Sequence, residues 1–159
     1  MTPPLPPDVL NNMDLKLFGT DGIRGRAGEF PLNSQSVVAI GRAAGEKLGG
    51  NILVGQDTRR SSPWIFELLQ RGLAQTAATM SDAGVIPTPA VALLTKSLGF
   101  SGGIMVSASH NPSTAKDTFA LEVFYRSLNR GCIMGLAHYQ EARRAFLKEF
   151  NMLASFFVA

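Results

Sequence analysis

The chain has 159 residues, 45% hydrophobic and 17% charged, a globular balance with enough length for one domain and a buried core. Fifteen basic against twelve acidic side chains leave only +3, with no basic cluster of the kind nucleic acid requires. No run of 18 apolar residues argues for a membrane-spanning helix, residues 1–7 lack the basic and apolar regions of a secretory signal, and the lone Cys132 excludes an intramolecular disulfide framework. The expected setting is the cytoplasm, with neither nucleic acid nor membrane as partner.

Residues 1–13 are Pro-rich and then Asn-rich, and read as a flexible N-terminus. Leu15 to Phe18 alternates like a short strand. Gly19-Thr20-Asp21-Gly22-Ile23-Arg24-Gly25 then packs three glycines into seven residues, and reads as a loop needing unusual dihedrals or close backbone approach. Asn33 or Ser34 can cap a helix from about Ser36 to Leu48, with Val37, Ile40, Ala44 and Leu48 on one face. Gly49-Gly50 ends it. Asn51 to Gly55 reads as a buried strand, and Gln56 to Ser62 as a polar loop. Ser62-Pro63 opens a second helix striped by Trp64, Leu68, Leu69 and Leu73.

Gly84-Val85-Ile86 is expected to be a short strand, and a third helix is expected from about Ala90 to Leu98. Gly103 to Ser107 reads as a strand, followed by the loop Ala108-Ser109-His110-Asn111-Pro112. This alternation predicts a layered α/β/α domain with a largely parallel mixed sheet over residues 14–112. Functional loops are then expected at the carboxyl ends of its strands. After Pro112 the rhythm is lost, and eight of the thirteen aromatic residues lie in 113–159. That segment reads as a divergent, partly helical tail. Its helix from about Leu136 to Leu153 would carry a stripe of Tyr139, Ala142, Phe146, Phe150 and Leu153.

Three loops could carry chemistry. In Ser107-Ala108-Ser109-His110-Asn111-Pro112, a serine hydroxyl beside an imidazole and an amide could bond a phosphate, although Asn-Pro alone also marks a turn. In the loop of Gly19 to Gly25, glycine amides and the Arg24 fork suit an anion, and a tight turn with a surface arginine is the plainer alternative. In Gly55-Gln56-Asp57-Thr58-Arg59, Asp57 either pairs with Arg59 or caps the next helix, which is routine loop chemistry. His138 and Cys132 read as surface or packing residues, and no Cys/His cluster has zinc spacing.

In order and together, Phe18 to Gly25, Gly55 to Arg59, Val85-Ile86-Pro87-Thr88-Pro89-Ala90 and Gly103 to Pro112 resemble the α-D-phosphohexomutase family. The Phe18-Gly19-Thr20-Asp21-Gly22 form is most similar to the branch acting on glucosamine phosphates, with the phosphomannose and phosphoglucose mutases as the alternative. The resemblance implies interconversion of glucosamine 6-phosphate and glucosamine 1-phosphate through a phosphoserine, here Ser109. It implies that Arg24 and His110 are catalytic, and that Thr20, Arg24, His110 and Asn111 bind phosphate. It also implies Mg²⁺, held in part by the phosphate of Ser109, and a hexosamine phosphate as substrate.

Family members have four domains, and the resemblance covers the first. The Asp-Gly-Asp-x-Asp-Arg metal loop has no counterpart among these 159 residues. After Pro112 the family's Asp-Asn-Gly-Ile-Lys is replaced by Ser113-Thr114-Ala115-Lys116-Asp117-Thr118-Phe119. A truncated gene, a shifted reading frame or a fusion would give such a chain. The expectation is therefore an incomplete metal site and no turnover by these residues alone. A non-catalytic module that binds sugar phosphates or associates with a complete mutase is the competing reading, and a gene remnant is the third. The sheet is further expected to lack a completing strand, leaving residues 113–135 poorly ordered and apolar surface free for self-association.

Overall fold

A computed structural model describes residues 22–107, together with the strand formed by 118–125. Eight elements follow in order: β1 (Ile23–Arg26), α1 (Ser34–Leu48), β2 (Asn51–Gln56), α2 (Ser62–Leu73), β3 (Thr79–Val85), α3 (Thr88–Ser97), β4 (Gly102–Ser107) and β5 (Thr118–Tyr125). The strands form one mixed sheet in the order β1-β5-β4-β2-β3. β2 pairs in parallel with β3 and β4, while β5 is antiparallel to both β4 and β1. The α/β class and the largely parallel mixed sheet agree with the sequence.

The helices begin where their chemistry says they should. The Asn33 side chain accepts from the Ser36 amide at 2.8 Å and caps α1, and Pro63 stands in the first turn of α2. The crossovers from β2 to β3 and from β3 back to β4 run in opposite directions across the sheet. For right-handed connections that places their helices on opposite faces. α2 lies with α1 over Ile52, Val54, Ile104 and Val106, whereas α3 lies over Leu53 and Met105. Three layers result.

The α1/α2 side holds the larger core. Val37, Ile40, Ala43, Ile65, Leu69 and Leu73 meet the sheet there, together with Ile23 from β1. The two helices approach closely where Gly41 faces Gly72: a Cβ at Gly41 would lie 2.6 Å from the Leu69 carbonyl oxygen, and one at Gly72 would run into that of Val38. On the α3 side the buried cluster is Leu53, Val91 and Met105. The Thr95 hydroxyl donates to the Val91 carbonyl at 2.7 Å there, and Leu93 and Leu98 stay about two-thirds exposed at 65% and 66%.

Three expectations change. Ile23–Arg26 is a strand, not part of a loop, because β5 supplies its ladder. β3 starts at Thr79, well before Gly84, because β2 pairs it in parallel from Asn51 onward. Most consequentially, the sheet is not short of a strand beyond Pro112. Thr118–Tyr125 fills the place between β4 and β1, so the divide expected at 112 does not coincide with the edge of the sheet. The strand expected at 15–18, the N-terminal segment 1–13 and the helix expected at 136–153 lie outside the described residues.

Candidate functional site

Strand register brings two distant parts of the sequence to one level. In β4, Ser107 is level with Ala120 of β5, and Ala120 is level with Arg24 of β1. Arg24 thus stands two strand spacings from Ser107, about 9.5 Å. One residue earlier, Ile23 is level with Leu121 and Val106, and both Ile23 and Val106 are buried in the α1/α2 core. Alternation then turns Arg24 and Ser107 to the opposite, α3-facing side. Arg24 is exposed and Ser107 is buried.

This level is the carboxyl end of the parallel strands, where ligands of open α/β sheets gather. β4 ends there at Ser107, two residues before Ser109, and β2 delivers the chain into the loop of Asp57. The two ends are tied together: the Asp57 amide donates to the Val106 carbonyl at 3.0 Å. Asp57 Oδ1 accepts from the Ser62 hydroxyl at 2.5 Å and from the Arg59 amide at 3.1 Å, and Oδ2 lies 3.6 Å from Arg59 Nε. Sequence allowed Asp57 either to pair with Arg59 or to hold the next helix; it does both.

The glycines of the first motif also have their reasons. Gly22 has φ of 142°, in the region that favours glycine. A Cβ at Gly25 would stand 2.9 Å from Pro31 Cδ, so the chain after β1 folds back over this position.

Of the expected site residues, Arg24 is placed by the structure. Thr20, Ser109, His110 and Asn111 lie outside the described residues. Among the described residues no three His, Cys, Asp or Glu side chains gather as a metal site, and no helix is long and apolar enough to cross a membrane. An open groove of about 410 Å³ runs between α1 and α2, bordered by Ser34, Arg42, Arg71 and Gln75. It includes neither Arg24 nor the Asp57 loop. Sequence reasoning had not seen that Gln56 ends β2 with a buried side-chain oxygen lacking a hydrogen-bond partner among the described residues, a contact-level feature with no sequence signal.

Comparison with known proteins places this geometry. The family model "Phosphoglucomutase/phosphomannomutase, alpha/beta/alpha domain I" matches residues 15–128, which takes in all five strands. A phosphoglucosamine mutase of Koribacter versatilis is 57% identical over 104 residues, covering 62% of this chain and 22% of that protein. A phosphoglucosamine mutase of Solibacter usitatus is 49% identical over 116 residues, covering 70% of this chain and 25% of that protein. In three dimensions, a Thermus thermophilus protein provisionally assigned as a phosphomannomutase aligns with a TM-score of 0.65 at 27% identity, over 86% of this chain and 29% of its own. The chain thus spans about a quarter of the length of the curated relatives it matches. By its matched residues and its layered sheet, the chain belongs to the phosphoglucomutase/phosphomannomutase family and carries that family's alpha/beta/alpha domain I.

Proposed function

We propose that this chain is the phosphoserine-bearing unit of a phosphoglucosamine mutase. Ser109 carries the phosphoryl group, and Arg24 offsets its charge. Thr20, His110 and Asn111 line the phosphate, and the substrate is a hexosamine phosphate in the cytoplasm. The observation that carries this reading is the register that sets Arg24 level with Ser107. Ser109 follows two residues on, a chain reach of at most about 7 Å. A guanidinium at that level can form two parallel hydrogen bonds to a phosphate, the geometry arginine supplies best. The branch assignment leans on the identity to phosphoglucosamine mutases, 57% and 49% over the aligned residues.

The step assigned to this unit balances simply. A sugar bisphosphate gives a phosphoryl group to Ser109 Oγ: the sugar P–O bond breaks and the P–Oγ bond forms. The hydroxyl proton goes to the departing sugar oxygen. Phosphoryl transfer asks the protein mainly for positioning and charge neutralisation. The family resemblance implies Mg²⁺, which would neutralise phosphate charge when bound. The described residues do not supply a set of ligands for it, so no step here runs through the metal.

We expect these 159 residues alone not to interconvert glucosamine 6-phosphate and glucosamine 1-phosphate. These 159 residues lack the Asp-Gly-Asp-x-Asp-Arg metal loop that the resemblance calls for. Loss of positioning and of electrostatic stabilisation each amounts to several kcal/mol. The test is incubation of the purified chain with Mg²⁺ and glucose 1,6-bisphosphate, followed by phosphopeptide mapping and an assay of turnover. Phosphate at Ser109 without turnover is the expected result. Turnover like that of a complete mutase, in a preparation free of host enzyme, would overturn the second half of the reading. Self-association belongs to the same proposal: exposed Val85, Leu93 and Leu98 leave apolar surface beside α3. Sedimentation at increasing concentration reads it directly.

A further inference from the structure

The loop after β2 holds its carboxylate too firmly for an ordinary surface aspartate. Asp57 is bonded at both ends. Its backbone amide closes the last pair of the β2–β4 ladder, Gln56 with Val106, by donating to the Val106 carbonyl at 3.0 Å. Its carboxylate takes the hydroxyl of fully buried Ser62 at 2.5 Å and the Arg59 amide at 3.1 Å, with Arg59 Nε at 3.6 Å. The cap residue of α2, Ser61, makes no side-chain cap bond, so the carboxylate of Asp57 holds this turn. Both charged side chains are about three-quarters buried, at 24% and 23% exposure, where charge-assisted hydrogen bonds keep much of their strength.

We propose that Asp57 is a positioning residue for the phosphoserine loop. One residue joins the last rung between β2 and β4 to the first turn of α2, and β4 ends one residue after that rung, at Ser107, two residues before Ser109. With the rung fixed, the chain leaves Ser107 held from both sides, by β2 and by β5. Without it, only the β5 pairs of Val106 with Leu121 and Ser107 with Ala120 remain, and the chain that carries Ser109 starts from a less fixed place. Misplacement by about 1 Å is enough to cost on the order of 100-fold in a positioned reaction. The inference rests on the reading of Ser109 as phosphoryl carrier.

A helix cap alone would lower stability and nothing more, so the test sets Asp57 against another cap. Asn33→Ala removes the cap of α1, a bond between the Asn33 side chain and the Ser36 amide that involves neither Asp57 nor the end of β4. Asp57→Ala removes the carboxylate contacts, and Asp57→Asn keeps the acceptor oxygen for Ser62 and the Arg59 amide. Loading of Ser109 from glucose 1,6-bisphosphate is measured at a temperature where circular dichroism shows every variant folded. Asp57→Ala should load at least about tenfold more slowly than wild type, with Asp57→Asn restored to within about threefold and Asn33→Ala unchanged. Equal loading by Asp57→Ala and Asn33→Ala would overturn the proposal. If the wild type loads no phosphate at Ser109, the phosphoserine reading itself fails, and amide exchange still decides the latch. Asp57→Ala should then speed exchange at Val106 to Asn111 where Asn33→Ala does not; unchanged exchange there would refute it.

Discussion

The two faces of the sheet are built for different work. On the α1/α2 side, a continuous set of fully buried aliphatic side chains reaches from Ile23 at one edge strand to Ile52 and Ile104 in the centre. On the α3 side the buried cluster is three residues, its rim is open at Leu93 and Leu98, and strand alternation directs Arg24 and Ser107 there. A polar or charged group on the first face would have to be desolvated among hydrocarbon, at a cost of several kcal/mol without partners. The second face can accept an exposed arginine at no such cost. Stability is concentrated on one side of the sheet, so the strand ends can offer charge on the other.

That contrast can be broken by cutting equal holes in the two sides. Leu69→Ala on the α1/α2 side should cost about 4 kcal/mol, toward the upper end of the range for such truncations, since close-packed helices cannot collapse into the space. Met105→Ala, buried under α3, should cost about 2 kcal/mol, because the small cluster and open rim can relax. Denaturant unfolding of both variants reads the difference, and equal losses would erase the distinction. Gly72→Ala sharpens it: one methyl group added between α1 and α2 should cost about 1–3 kcal/mol, because backbone, not a flexible side chain, occupies the space. Asn33→Ala should be the smallest, about 1 kcal/mol, read as a lower melting temperature.

Elements that depend on local chemistry were legible in the sequence. α1 begins beside its Asn33 cap, α2 begins at Ser62-Pro63, and the apolar runs of β2 and β4 stand where their composition puts them. Elements that depend on a distant partner were not. Thr79 to Val85 includes Ser81, Asp82 and Gly84, poor strand formers, and is a strand because β2 pairs with it. β1 was masked by Gly25 within it and Gly22 before it, and its partner β5 lies about a hundred residues along the chain. β5 carries a signal of its own, since Thr118, Phe119, Val123, Phe124 and Tyr125 favour strands, but it follows the break in the family motif after Pro112 and has no neighbouring helix to complete a βα rhythm in the sequence. Of the site, the motif pattern pointed to Arg24. Its level with Ser107 could emerge only once β5 stood between them.

The most direct test of the account is phosphoryl loading in Arg24→Ala. Arg24 is exposed, so its loss should leave the unfolding midpoint close to that of the wild type. After incubation with glucose 1,6-bisphosphate and Mg²⁺, the wild-type chain should carry phosphate at Ser109, and Arg24→Ala should load at least about tenfold more slowly, as expected when a charge-stabilising donor is removed. Phosphate confined to Ser107 or Ser101, no phosphate on the wild type, or undiminished loading of Ser109 in Arg24→Ala would contradict it.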